Sequence, residues 1–209
     1  MNHQDDLEKA GVSPAGEENE LTPEQQAEQA AAALLAQTVY DRTAQNLVAP
    51  RKWLLKQQPE GLAEGLFLKL LEEVDKEAPR EALKNLALIK GKKDSYYYDA
   101  SIMTPEFAKV QALIEDKDML ATIAEVTRRD CELYPRPAPF SKFAGYPFRF
   151  SMDELEGAAA RMQLSKEYRD IGVVKASNGA SAFYSSKSMS MVYARSLFEE
   201  IEVESREWQ

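Results

Sequence analysis

Val173-Val174-Lys175-Ala176-Ser177-Asn178-Gly179-Ala180-Ser181-Ala182-Phe183-Tyr184 is the stretch from which the rest of the chain can be read. β-Branched and aromatic residues flank a short polar break, the composition of two strands joined by a tight turn. Asn-Gly readily supplies the positive-φ pair of a type I′ turn, whose twist matches the flanking strands. A turn centred on Asn178-Gly179 places Val174 opposite Phe183 and Val173 opposite Tyr184.

The same pattern occurs earlier in the chain. Tyr97-Tyr98 lies 86 residues before Phe183-Tyr184, and Met103-Thr104-Pro105-Glu106-Phe107-Ala108-Lys109 echoes Met189-Ser190-Met191-Val192-Tyr193-Ala194-Arg195 at the same spacing. Leu88-Ile89-Lys90 matches Val173-Val174-Lys175 with one residue of slippage. Pro50-Arg51-Lys52-Trp53 resembles Pro139-Phe140-Ser141-Lys142-Phe143 with one residue inserted. A repeat of this length points to a duplicated supersecondary unit.

Local signals place the other elements. Thr22-Pro23-Glu24-Gln25 opens a helix expected to reach about Asn46, with a threonine cap, a proline at the first helical position and a glutamine to complete the box. Leu62, Leu66, Phe67, Leu70, Leu71 and Val74 mark one helical face. Pro79 to Leu86 is expected as a short helix, and Leu88–Lys90 with Tyr96–Tyr98 as the first hairpin. Thr104-Pro105 caps a helix to about Lys117, and another runs from Asp118 to Cys131. Ser151-Met152-Asp153-Glu154 is a capping box. The last helix carries Met189, Val192, Tyr193, Ser196 and Leu197 on one side.

Each copy thus reads helix, short extended piece, helix, short helix, hairpin, helix. This order resembles the winged-helix family over about 45–117 and 134–204. The expected fold is α+β and mostly helical, with two tandem winged-helix-like units, each carrying a β-hairpin. A disordered acidic tail spans 1–20, the first unit 21–117 and the second 118–209. The Asn178-Gly179 hairpin and Tyr134-Pro135-Arg136-Pro137 are also similar to segments of small uncharacterised bacterial proteins.

Charge is unevenly spread. The net charge is -9, but residues 1–30 contribute -7 and residues 199–209 contribute -4, whereas 128–195 carries +4. The acidic ends favour solubility and repel nucleic acid. No apolar run approaches the ~18 residues of a membrane helix, and the N-terminus lacks the pattern of a secretory signal. A cytoplasmic location follows as the expectation, and the single cysteine, Cys131, suits a reducing compartment.

Catalytic signals are sparse. The one histidine, His3, lies in the expected tail. With one His and one Cys, a His/Cys metal site is not expected. The chain also has no GxxxxGK or GxGxxG phosphate loop. No catalytic residue, metal or cofactor is therefore assigned. Cys131, near Arg128 and Arg129, reads as a half-buried helical thiol.

The most unusual segment is Tyr134–Phe150, whose 17 residues include six aromatics and four prolines. Proline favours extended backbone before it, so the segment is expected to be an extended ribbon. Tyr134, Arg136, Phe140, Lys142, Phe143, Tyr146 and Phe148 are its candidate protein-binding residues, since aromatics with arginine dominate binding energies. The plainer reading buries these rings in the seam between the copies, because so many bare rings would leave a large apolar patch.

The expected function is a non-catalytic interaction protein, an accessory or regulatory subunit whose partner is another protein. The alternative is a DNA-binding regulator contacting phosphates through Arg51, Lys52, Arg80, Lys84, Lys92 and Lys93.

Overall fold

The computed structural model describes residues 22–63 and 65–204. The expected tail at 1–20 lies outside the described residues, as does His3. The fold is α+β, with two small antiparallel sheets set among helices.

The first helix, α1 (Pro23–Ala44), begins at the Thr22–Gln25 capping box and buries Ala31, Leu35, Val39 and Thr43. It stops short of Asn46, which takes a positive φ of 61°. β1 (Ala49–Pro50) and α2 (Arg51–Lys56) follow. α3 (Leu66–Glu73) buries the expected Leu66, Phe67, Leu70 and Leu71, while Leu62 packs on the same core from the preceding turn. The helix expected over Pro79–Leu86 is a single 3-10 turn, Glu81–Leu83. β2 (Leu86–Lys90), β3 (Ser95–Asp99) and α4 (Pro105–Glu115) complete this half, with Thr104 capping α4.

The second half repeats the order. α5 (Met119–Leu133) is capped by Asp118, and β4 (Ala138–Pro139) leads into α6 (Phe140–Ala144). α7 (Met152–Leu164) starts at the Ser151–Glu154 capping box. Residues 165–170 hold no helix. β5 (Ile171–Lys175), β6 (Ser181–Ser185) and α8 (Met191–Glu199) close the half, with a π turn over Glu200–Glu204.

The strand order is β1-β3-β2 in one sheet and β4-β6-β5 in the other. Tyr97 pairs with Ala49 and Leu88, and Phe183 pairs with Ala138 and Val173. Corresponding residues are thus 89 apart on the first strands and 86 apart on the central ones. The proline stretches align without the expected insertion. Leu54, not Trp53, stands where Phe143 stands, and both are fully buried.

The second hairpin departs from its expected register. Val173 faces Phe183 and Val174 faces Ala182. Only Gly179 takes a positive φ, 86°, and its N–H donates to the Ala176 carbonyl. Ala176 N–H in turn donates to the Ala180 carbonyl. The connection is a type I turn closed by a left-handed glycine, the three-residue hairpin loop, not the two-residue type I′ turn. This register sets Gly172 against Tyr184, whose ring occupies the space a Cβ would need.

Packing crosses the midpoint of the chain. One core gathers Leu35, Val39, Leu54, Phe67, Leu70, Leu83 and Tyr97. The other gathers Phe140, Phe143, Leu155, Met162, Ile171 and Phe183. α4 serves both halves: Ala108 and Ala112 pack with Tyr96 and Tyr98, whereas Val110 belongs to the core of the second half with Ile123 and Val126.

Candidate functional site

The segment Tyr134–Phe150 is not an extended ribbon. Pro135 and Pro137 keep its first part extended, but Pro139 is the N-cap of α6, where a missing N–H costs nothing. Free of proline until Pro147, the chain turns once as helix and then folds back, with Phe150 N–H donating to the Phe143 carbonyl.

This fold-back sorts the seven candidate residues. Phe140 and Phe143 are corrected to core residues. Phe140 stacks on Phe183 with centroids 4.5 Å apart, and Phe143 meets the same ring edge-on at 5.6 Å. Phe148 is half-buried and packs against Phe143 and Phe150. Tyr134 and Tyr146 remain out, at 61% and 64% exposure. Arg136 lies over the Tyr134 ring at 5.3 Å, and Arg149 over the Tyr146 ring at 5.7 Å. Lys142 binds the buried Asp130 and so neutralises it.

Tyr134 and Tyr146 border a groove of about 400 Å³ on the seam between α4, α5 and the fold-back. Its apolar lining is Phe107, Val110, Val126, Leu133, Pro147 and Phe148, with Arg129 and the Asp130–Lys142 pair at its edge. Leu133 is not among the residues singled out from sequence, and Arg129 enters there only as a neighbour of Cys131. Leu133 is more than half exposed at the end of α5, and the sequence signal for it is an apolar residue just beyond the Asp118–Cys131 span.

The six candidate nucleic-acid contacts are placed differently. Arg80 forks onto Glu73 at 2.6 and 2.8 Å and also reaches Glu28. This fork raises the Arg80 pKa and lowers that of Glu73, both chiefly through the side-chain hydrogen bond. Arg51 pairs with Glu72, Lys84 with Glu81 and Lys92 with Asp118. Lys52 donates to the Lys93 carbonyl. Of the six, Lys52 and Lys93 have no side-chain ion pair among the described residues.

Cys131 is buried in the second half, which pushes its thiol pKa up, and its sulfur lies 3.4 Å from the Ser185 N–H. A buried, protonated thiol is a poor nucleophile. Asp170 is held down to about 2 by the Arg128 guanidinium, against the effect of burial, and accepts the Ser185 hydroxyl as well. This network ties α5 to the second sheet. Among the described residues no group of three or more His, Cys, Asp and Glu side chains could hold a metal ion. No described helix is long and apolar enough to cross a membrane.

Residues 117–206 match the family model described as the YdhW C-terminal domain. No solved structure matches the chain significantly. The likeness to an uncharacterised bacterial protein holds over nearly the whole chain: it is 29% identical to "Uncharacterized protein YdhW" of Escherichia coli (strain K12), over 98% of this chain and 96% of that protein.

Proposed function

We propose that this chain is a non-catalytic accessory or regulatory subunit that binds another protein through the seam groove. The scaffold is read as a duplicated winged-helix-like unit, supported by the shared strand order and the shared helix–strand–helix–helix–hairpin–helix sequence of the two halves. The observation that carries the reading is the pair of bare tyrosines, Tyr134 and Tyr146, each with an arginine on its ring, flanking an apolar groove. Aromatic side chains lose few rotamers on binding, and tyrosine and arginine are enriched among the residues that carry most of the energy at interfaces.

The charge of the rim narrows the partner. Arg129, Arg136 and Arg149 surround the groove, while Asp130 is already neutralised. The complementary ligand is a protein segment with an apolar side chain flanked by carboxylates. Replacing Tyr134 and Tyr146 together with serine tests this. The variant is expected to keep its melting temperature and to lose a partner that co-purifies with the native chain from its own cells. Undiminished recovery of that partner would overturn the reading.

The DNA-binding alternative draws less support, because most of its cations are engaged with acids. The three-residue turn Glu81–Leu83 also offers little to a major groove. Binding to duplex DNA that falls steeply with added salt would restore it.

A further inference from the structure

We propose that the chain straps its own last helix: residues 205–209 turn back after Glu204 and set the Trp208 ring in the groove between the end of β5 and α8. The groove is about 690 Å³, lined by Lys175 and Ser177 from the hairpin and by Met191, Val192, Arg195 and Glu199 from α8. It joins apolar surface to positive charge, since Met191 and Val192 are 60% and 76% exposed beside the lysine and the arginine.

The first half shows what meets such cations. Strand register makes Lys90 the counterpart of Lys175, and the helix caps Thr104 and Ser190 make Lys109 the counterpart of Arg195. Lys90 pairs with Asp75 at 2.9 Å and Lys109 with Glu125 at 2.8 Å. Neither Lys175 nor Arg195 has an ion pair among the described residues. Glu199 lies in the same groove, where its carboxylate accepts the Ser177 N–H and hydroxyl.

The residues after Glu204 carry the complement and are within reach of the groove. They read Ser205-Arg206-Glu207-Trp208-Gln209. The Asn178 side chain donates to the Glu202 carbonyl, which holds the last described turn against the hairpin beside Ser177. Glu199 lies five positions before Glu204, about 7 Å back along the helix axis. Two extended residues, from Glu204 to Arg206, cover about 7 Å. Glu199 and Arg195 are then one turn apart, about 6 Å, and Arg206 and Trp208 are about 7 Å apart on one side of an extended segment. That register sets Arg206 at Glu199 and the Trp208 ring at Met191 and Arg195, while Glu207, on the opposite side, meets Lys175. A tryptophan face attracts a guanidinium. The chain already uses this pairing at its other tryptophan, where Arg42 lies 4.6 Å over Trp53.

So short a strap opens locally without unfolding the rest, and its loss leaves the melting temperature nearly unchanged. Fluorine NMR of the full chain labelled with 5-fluorotryptophan reads the strap directly. The chain has two tryptophans, and Trp208→Phe identifies the Trp208 signal. Trp53, packed on the core of the first half, reports that each variant is folded. A synthetic peptide of residues 205–209 with the same label gives the signal of a free ring. The Trp208 signal of the native chain is expected to stand apart from that of the peptide. Arg195→Glu and Met191→Asp, both at exposed positions, are each expected to move it at least halfway back. A native Trp208 signal that coincides with the peptide would overturn the proposal. So would a displaced signal that either substitution leaves unmoved, which would seat the ring elsewhere. A displacement that fades on dilution would also overturn it, because the groove would then be taking Trp208 from a second copy.

Discussion

α4 and α8 occupy equivalent places, each following a hairpin and packing an alanine-bearing stripe on its sheet. Ala108 and Ala112 do this on α4; Ala194 and Phe198 do it on α8. Their other faces part company. That of α4 is buried by the second half of the chain, while that of α8 carries exposed Val192 and Tyr193. A helix in the middle of a repeated chain gains a neighbour that the terminal helix lacks. The apolar stripe read from the sequence of α8 is accordingly the uncovered one, and the buried stripe is the other.

The hairpins differ in a related way. The first turn is held by Asp116, which accepts the backbone N–H groups of Lys92 and Lys93 and the Tyr96 hydroxyl. The second is held by Glu199, which accepts the Ser177 N–H at 2.8 Å and the Ser177 hydroxyl. These contacts lower the Glu199 pKa. In both halves a carboxylate from the end of the following helix region pins the turn. Asp116 is buried, however, and Glu199 is only half-buried.

Substitutions can break or sharpen this contrast. The largest effect is expected at the central strands, which both halves share. Phe183→Ala removes a ring that touches Phe140 and Phe143, and should cost about 3–5 kcal/mol in chemical denaturation. Next is the contrast between the helices themselves. Val110→Asp buries a carboxylate at the seam and should cost about 3 kcal/mol, whereas Val192→Asp should stay within about 0.5 kcal/mol of the native chain. Equal effects at the two positions would mean that α8 is covered in solution.

Asp170 has no charged counterpart in the first half, where Asn85 holds its place. Its carboxyl lies at about 2 when folded against an ordinary value of 3.8, so the folded chain favours the ionised form. The gain is present above about pH 4 and is lost as pH falls through about 2; it amounts to about 2 kcal/mol. Asp170→Asn should lose this stability at neutral pH, and the gap to the native chain should narrow as the solution is acidified. A pH-independent gap would assign the effect to packing instead. The smallest effects are expected at the turns. Asp116→Asn should cost about 1–2 kcal/mol through its buried hydrogen bonds, and Glu199→Gln should be close to silent in thermal denaturation.

Much of the fold was legible because its signals are local. The capping boxes at Thr22 and Ser151 and the cap at Thr104 are satisfied within a turn, so the residue types alone place the helix starts. The repeat was legible because the strands at Leu88–Lys90 and Val173–Lys175 kept similar side chains. The candidate groove was half legible. Six rings in one segment signalled an apolar surface, but ring identity does not say which rings face inward. Phe140 and Phe143 went to the core because the helix after Pro139 points them at Phe183. Tyr134 and Tyr146 stayed out.

The amino-acid sequence by itself determined where helices begin, which residues form the hairpin strands and that the pattern occurs twice, because these rest on dihedral preference and short-range hydrogen bonds. Tertiary structure decided the hairpin register, where Asn178 donates to the Glu202 carbonyl and Glu199 draws in Ser177, leaving only Gly179 left-handed. It also decided which apolar faces are covered, because burial depends on the neighbour that arrives, and among the described residues α4 has one that α8 lacks.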